Sequence, residues 1–200
     1  MEKKLIIILG SLLLFAGCNP QLAKPRQECV PKFGDSVIAT YWAKMGALKK
    51  DIARRQARTL IGLLLKYQKS GDVNVTDENG VSLLLSATLL GELDLMRDIL
   101  KPPFFADVNL PKNDGVTPLM IAAINENDAA LRILLSAGAS VNLQDNKGMT
   151  ALMYAVINGS VSATTTLIEN GADAMIKNHE GKTAKDFGGV ASDIQKALSK

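Results

Sequence analysis

Two hundred residues, 47% apolar and 22% charged, fit a globular chain of one or two domains and exclude wholesale disorder. One histidine and two cysteines, Cys18 and Cys29, exclude His-rich zinc sites, metalloproteases that need two histidines, four-thiolate zinc and a disulfide framework. The formal charge of +3 is too small to argue for nucleic acid.

In chain order, Lys3 and Lys4 precede an uncharged, mostly aliphatic run from Leu5 to Gly17. That run is shorter than the roughly 20 residues that cross a bilayer as a helix. It suits the h-region of a signal peptide over residues 1–17. Leu14-Phe15-Ala16-Gly17-Cys18 resembles a bacterial lipobox, with Phe15 where Leu is usual. The resemblance implies cleavage before Cys18 and acylation of that residue, which would hold the chain on the periplasmic side of an envelope membrane. Asn19, rather than Asp, leans by the same resemblance toward the outer membrane. Residues 18–35 carry Pro20, Pro25 and Pro31 and read as an extended tether. Cys29 lies in that tether and reads as an incidental cysteine or a free thiol.

Val37, Ile38, Tyr41, Trp42, Met45 and Leu48 fall on one helical face of residues 36–50. Residues 51–69 end in the apolar run Leu60 to Leu65, followed by Gly71-Asp72-Val73-Asn74. Residues 36–76 therefore read as a divergent, lengthened capping unit. The chain then repeats itself, which decides the fold class before any single motif does. Gly115, Gly148 and Gly181 are evenly spaced, as are Thr117, Thr150 and Thr183, and Gly80 stands two residues further out. Asn74, Asn109 and Asn142 follow the same rhythm.

The stretches from Asn113 to Ala123 and from Leu134 to Asn142 resemble the ankyrin repeat. The resemblance implies an all-α repeat solenoid, an ankyrin stack of helix-turn-helix units with short β-like finger loops. Its boundaries are expected at 77–111, with a two-residue insertion, 112–144 and 145–177, closed by a C-terminal cap at 178–200. Each residue type has a physical reason. Gly115 permits a tight turn, Thr117 caps a helix, and Pro118 takes the first helical position without losing a donor. Leu119, Ala122 and Ala123 form a narrow apolar face. Leu131, Leu134 and Leu135 recur at outer-helix spacing, and Gly138 ends that helix. No unit buries its face alone, so neighbours must stack.

Departures from the pattern carry their own expectations. Met120 and Met153 stand where the family has histidine, so that histidine's hydrogen-bond network is absent. Glu126 replaces the glycine between two helices, and a left-handed Glu would cost about 1 kcal/mol, so a reshaped turn is expected there. The insertion before Asp107 reads Lys-Pro-Pro-Phe-Phe-Ala, with Phe105 at the helix-ending glycine position. Phe104 and Phe105 either plug a wider gap between units or project as an aromatic anchor for a partner.

Catalytic readings fail on spacing, and no enzyme activity or cofactor is expected. Gly181-Lys182-Thr183 echoes a phosphate loop, but Ile176 stands where the earlier glycine is required. Residues 72–76 begin like a calcium loop without its later glycine and glutamate. His179 beside Glu180 and Asp186 has no oriented nucleophile to serve. Charge is polarised instead. Residues 44–69 hold eight Lys or Arg against Asp51 alone, while 70–200 hold ten against sixteen Asp or Glu. This is either a solvated capping face or a contact with anionic headgroups or an acidic protein.

Ankyrin proteins bind proteins through finger tips and inner helices. Carried onto this chain, the resemblance implies a partner face of Glu78, Asn79, Val81, Leu89 and Leu90. It continues through Asn113, Asp114, Val116, Ile124 and Asn125, then Asn146, Lys147, Met149, Ile157 and Asn158. His179, Glu180 and Lys182 complete the edge. Leu89, Leu90, Val116, Ile124, Met149 and Ile157 are expected to stay open to water, an apolar stripe of the kind that marks an interface. The expected partner is a protein, with no nucleic acid. Exported ankyrin lipoproteins resemble some immunity proteins, which implies a toxin or effector enzyme. A structural or stress-related adaptor in the envelope is the alternative.

Overall fold

The computed structural model describes residues 51–187, together with Ile194, Lys196 and Leu198. Cys18, the tether and the apolar face at 37–48 lie outside the described residues. Within residues 51–187, seven α-helices follow one another: α1 (Asp51–Ser70), α2 (Leu83–Leu90), α3 (Leu93–Ile99), α4 (Pro118–Ile124), α5 (Asp128–Ser136), α6 (Ala151–Ile157) and α7 (Val161–Glu169). A 3-10 helix follows at Ala184–Phe187, and Ile194, Lys196 and Leu198 beyond it are helical as well. Among the described residues the only β feature is one isolated bridge, Thr76 to Ser82. The all-helical repeat architecture that the resemblance implied is the architecture found. None of these helices is long and apolar enough to cross a membrane.

The short helices start where a side chain can accept an orphan N–H. Ser82, Thr117 and Thr150 cap α2, α4 and α6 by accepting from Leu85, Met120 and Met153. Asn127 and Ser160 do the same for α5 and α7. Each cap contributes typically about 1 kcal/mol, which matters for helices this short, since they would not form alone. Met120 does more than fill the histidine position. Its Sδ lies 3.5 Å from the Thr117 N–H and accepts from it, so a thioether replaces part of the network expected to be missing.

Between paired helices the chain turns through a left-handed residue: Gly91 (φ 68°), Glu126 (φ 52°) and Gly159 (φ 71°). The turn at Glu126 is therefore kept rather than reshaped, contrary to the expectation from its side chain. Stacking explains this. Asn127 must still cap α5, and the bonds from Glu126 and Asn127 to the Ala123 and Ala122 carbonyls fix the backbone whatever residue occupies it. Phe105 (φ 49°) likewise takes the conformation that Gly138 and Gly171 take at the ends of α5 and α7.

Helices α2, α4 and α6 pack side by side in one layer, and α3, α5 and α7 in a second. The core runs continuously between the layers through Leu84, Met96, Leu119, Leu131, Leu134, Leu152 and Leu167. Leu135 is only partly buried against it. α1 packs on α2 through Leu60, Ile61, Leu63, Leu64 and Tyr67. At the far end Ala184, Ile194 and Leu198 are buried.

Candidate functional site: the turn ladder and the inner-helix edge

Four tight turns lead into the inner layer and its continuation. In each, the first residue donates its N–H to the carbonyl four residues on, and the glycine N–H returns to the first residue's carbonyl: Asp77–Val81, Lys112–Val116, Asp145–Met149 and Asn178–Lys182. Three are locked by a side-chain oxygen. Asp77 Oδ1 accepts from Asn79 and Val81, Asp145 Oδ1 from Lys147 and Met149, and Asn178 Oδ1 from Glu180 and Lys182. The turn at Lys112 has lost that acceptor. There Asp114 takes over, accepting from Val116 N–H at 3.2 Å and pairing with the Lys112 ammonium. Partial burial raises the Asp114 pKa, but the Lys112 and backbone hydrogen bonds outweigh it and leave the carboxyl below its usual value.

Each turn leans on the one before it. Asn113 N–H donates to Asn79 O, Asn146 N–H to Asp114 O, and His179 N–H to Lys147 O. The Asn113 amide also reaches the Glu78 carbonyl at 3.0 Å, and the Asn146 amide the Asn113 carbonyl at 3.2 Å. This closeness, as much as its left-handed φ of 83°, is why Gly115 is glycine. A Cβ there would lie 2.7 Å from Asn146 Oδ1 and 2.8 Å from its nitrogen. A second ladder runs at the base of the turns. The Asn74, Asn109 and Asn142 side chains accept from the N–H groups of Asp107, Ser140 and Asp173, each at 2.8 Å. Met175 stands next in that register and is 66% exposed. The break in the asparagine rhythm one interval after Asn142 could have revealed it.

These ladders decide which expected partner residues are open. Val116 and Met149 are buried, which corrects the expectation that they face water. Asn178 covers Met149, donating from Nδ2 to its Sδ at 3.5 Å, and the turn at Asp145 sits beside Gly115 next to Val116. Asn158 remains on the surface but holds a structural post, donating to the Ile124 carbonyl at 2.7 Å and so capping the preceding inner helix. Asn113 and Asn146 are exposed and share their amides with neighbouring turns. Glu78, Asn79, Asn125, Lys147, His179, Glu180 and Lys182 are exposed, and Val81, Leu89, Leu90 and Ile124 are half-buried. Ile157 is 48% exposed at the end of α6.

Electrostatics along this edge are mixed. Glu180 and Lys182 pair at 2.8 Å, an attraction that lowers the Glu180 pKa and raises that of Lys182. Lys182 also lies 5.9 Å from the centre of the Phe187 ring. Among the described residues no group of three or more His, Cys, Asp or Glu is placed to hold a metal ion.

The two inserted phenylalanines take different roles. Phe104 packs edge-on against Tyr67, ring centres 5.9 Å apart, and bridges the widened gap. Phe105 projects and is 67% exposed. Burial pushes the Tyr67 hydroxyl up to about 12.

No curated protein matches the chain. The family model described as ankyrin repeats (3 copies) matches residues 50–145 and 99–178, a span that contains α1 to α7 and stops at the start of the last turn. Such repeats are protein-interaction modules and are generally non-catalytic. The chain belongs to the ankyrin-repeat family.

Proposed function

We propose that this chain is a membrane-tethered, non-catalytic binding module, anchored through acylated Cys18, that grips a protein partner along its inner-helix edge. The observation that carries the binding face is the row formed by Leu89, Leu90, Ile124 and Ile157 at the ends of successive inner helices. All four keep surface open to solvent, and Leu89, Leu90 and Ile124 also pack against the core. Exposed Glu78, Asn79, Asn125 and Lys147 rim it. An apolar strip with a polar rim is the composition of a protein interface. Phe105 is a second contact in this proposal, because an exposed aromatic contributes little to the chain's own core.

The partner class we propose is a toxin or effector enzyme that the module neutralises on the periplasmic side. The lipobox resemblance at Leu14–Cys18, behind the Lys3-Lys4 pair and the uncharged run from Leu5 to Gly17, supports the tether. Palmitate labelling of cells tests the anchor: wild type should incorporate label, and Cys18→Ser should not. Affinity purification of the membrane-extracted protein tests the partner class. Co-elution of a secreted hydrolase, with cells lacking the module becoming sensitive to it, supports neutralisation. Co-elution of a resident envelope protein without such sensitivity would replace it with the adaptor reading.

A further inference from the structure

The first helix carries a charge pattern opposite to that of the stack behind it. α1 contains Arg54, Arg55, Arg58, Lys66 and Lys69 against Asp51 alone, whereas carboxylates outnumber Lys and Arg from Ser70 onward. Its buried side is fixed by Leu60, Ile61, Leu63, Leu64 and Tyr67. The turn of about 100° per residue then sets positions 51, 55, 58, 62, 65, 66 and 69 along the opposite side, so that Asp51 is the single acidic residue among four cationic ones. Gly62, Leu65, Lys66 and Lys69 are exposed there, Leu65 by 49%. Lys66 gives one donor to the Thr76 carbonyl at 3.1 Å. Among the described residues, neither Lys66 nor Lys69 is in an ion pair.

We infer that this side of α1 docks on an anionic phospholipid surface. Its positions extend over about 20 Å of helix with an aliphatic residue and a glycine between the charges. A plane of mobile phosphates can meet that spread of cations without fixed geometry, whereas an acidic protein would need carboxylates in matched places. The net acidic remainder of the stack is repelled by the same surface, so the basic pole of the chain turns toward it. The inference rests on the tethered reading for its choice of surface, since a chain anchored at Cys18 keeps α1 near the bilayer.

The test uses the full chain purified from membranes and reconstituted with phosphatidylcholine vesicles, with or without phosphatidylglycerol. Flotation with neutral vesicles reports the anchor. Amine-labelling rates read by mass spectrometry report the docking. Lys66 and Lys69 should label several-fold more slowly on anionic vesicles, while Lys147 and Lys177 label equally on both. The protection should vanish in 1 M salt, where the screening length falls to about 3 Å, and at Lys66 it should vanish in Arg55→Glu/Lys69→Glu, whose circular dichroism and thermal unfolding should match wild type. Equal labelling of Lys66 and Lys69 on both vesicle types overturns the inference even when flotation succeeds. Protection that appears only with native envelopes, and not with anionic vesicles, assigns the face to an acidic protein and overturns it too. Failed flotation with protection intact on anionic vesicles removes the anchor and leaves the docking supported.

Discussion

The Tyr154 hydroxyl donates to Asp145 Oδ2 at 2.6 Å, tying the middle of α6 to the turn that precedes it. The same carboxylate accepts two backbone N–H groups through Oδ1 and is buried. Tyr154→Phe leaves one of its oxygens short of a donor, so it should cost about 1–3 kcal/mol at neutral pH, read from urea unfolding. Burial, then the Asp145 hydrogen bond, raise the Tyr154 pKa above its ordinary value of 10.0. A folded-state pKa raised in this way gives stability that is whole below pH 10 and is lost as the unfolded chain ionises above it. Wild type should therefore lose more stability than Tyr154→Phe between neutral pH and the region above 10. Parallel losses in the two proteins would contradict the pairing.

Glu126 is exposed and holds a left-handed φ of 52° where Gly91 and Gly159 serve the other turns. Glu126→Gly should stabilise the stack by about 1 kcal/mol. The measurement is the shift in urea midpoint at unchanged slope, and a lower midpoint would mean that the side chain repays its strain by a contact.

Phe105 combines the same backbone conformation with an exposed ring. Phe105→Gly should hold or raise the thermal midpoint and weaken partner capture, the pattern expected when strain is retained for binding. Phe104→Ala should do the reverse. It removes the ring packed on Tyr67 and should cost about 3 kcal/mol, somewhat less if the loop collapses.

The inner-helix edge divides by burial. Leu89→Ser, Ile124→Ser and Ile157→Ser combined should weaken capture by more than about thirtyfold if they anchor the partner, with a smaller effect on unfolding than core truncation has. Val116→Ala and Met149→Ala should instead lower stability by about 1–3 kcal/mol, because both are enclosed by the following turn. Normal capture by a folded triple variant would move the interface away from this edge.

The sequence by itself determined the repeat and its register. Glycines such as Gly115 are forced by turns that only glycine fits, threonines such as Thr117 by orphan helix donors, and leucines such as Leu131 by helical spacing. Each of these constraints acts within one unit, so each leaves its mark at a fixed interval. Tertiary structure alone decided which repeated residues face solvent. Val116 and Met149 look like their exposed neighbours in sequence, yet the next turn covers them. Asn158 looks like a contact residue, yet it caps the helix behind it. Phe104 and Phe105 are chemically alike and adjacent, and only the position of Tyr67 separates the buried ring from the free one. The glutamate at position 126 adopts a glycine's conformation because bonds to the Ala122 and Ala123 carbonyls and the cap at Asn127 fix its backbone from both sides. Contacts between units join residues some 33 positions apart, as Asn142 and Asp173 are joined across 31, and a pattern confined to one unit cannot record what its neighbour covers.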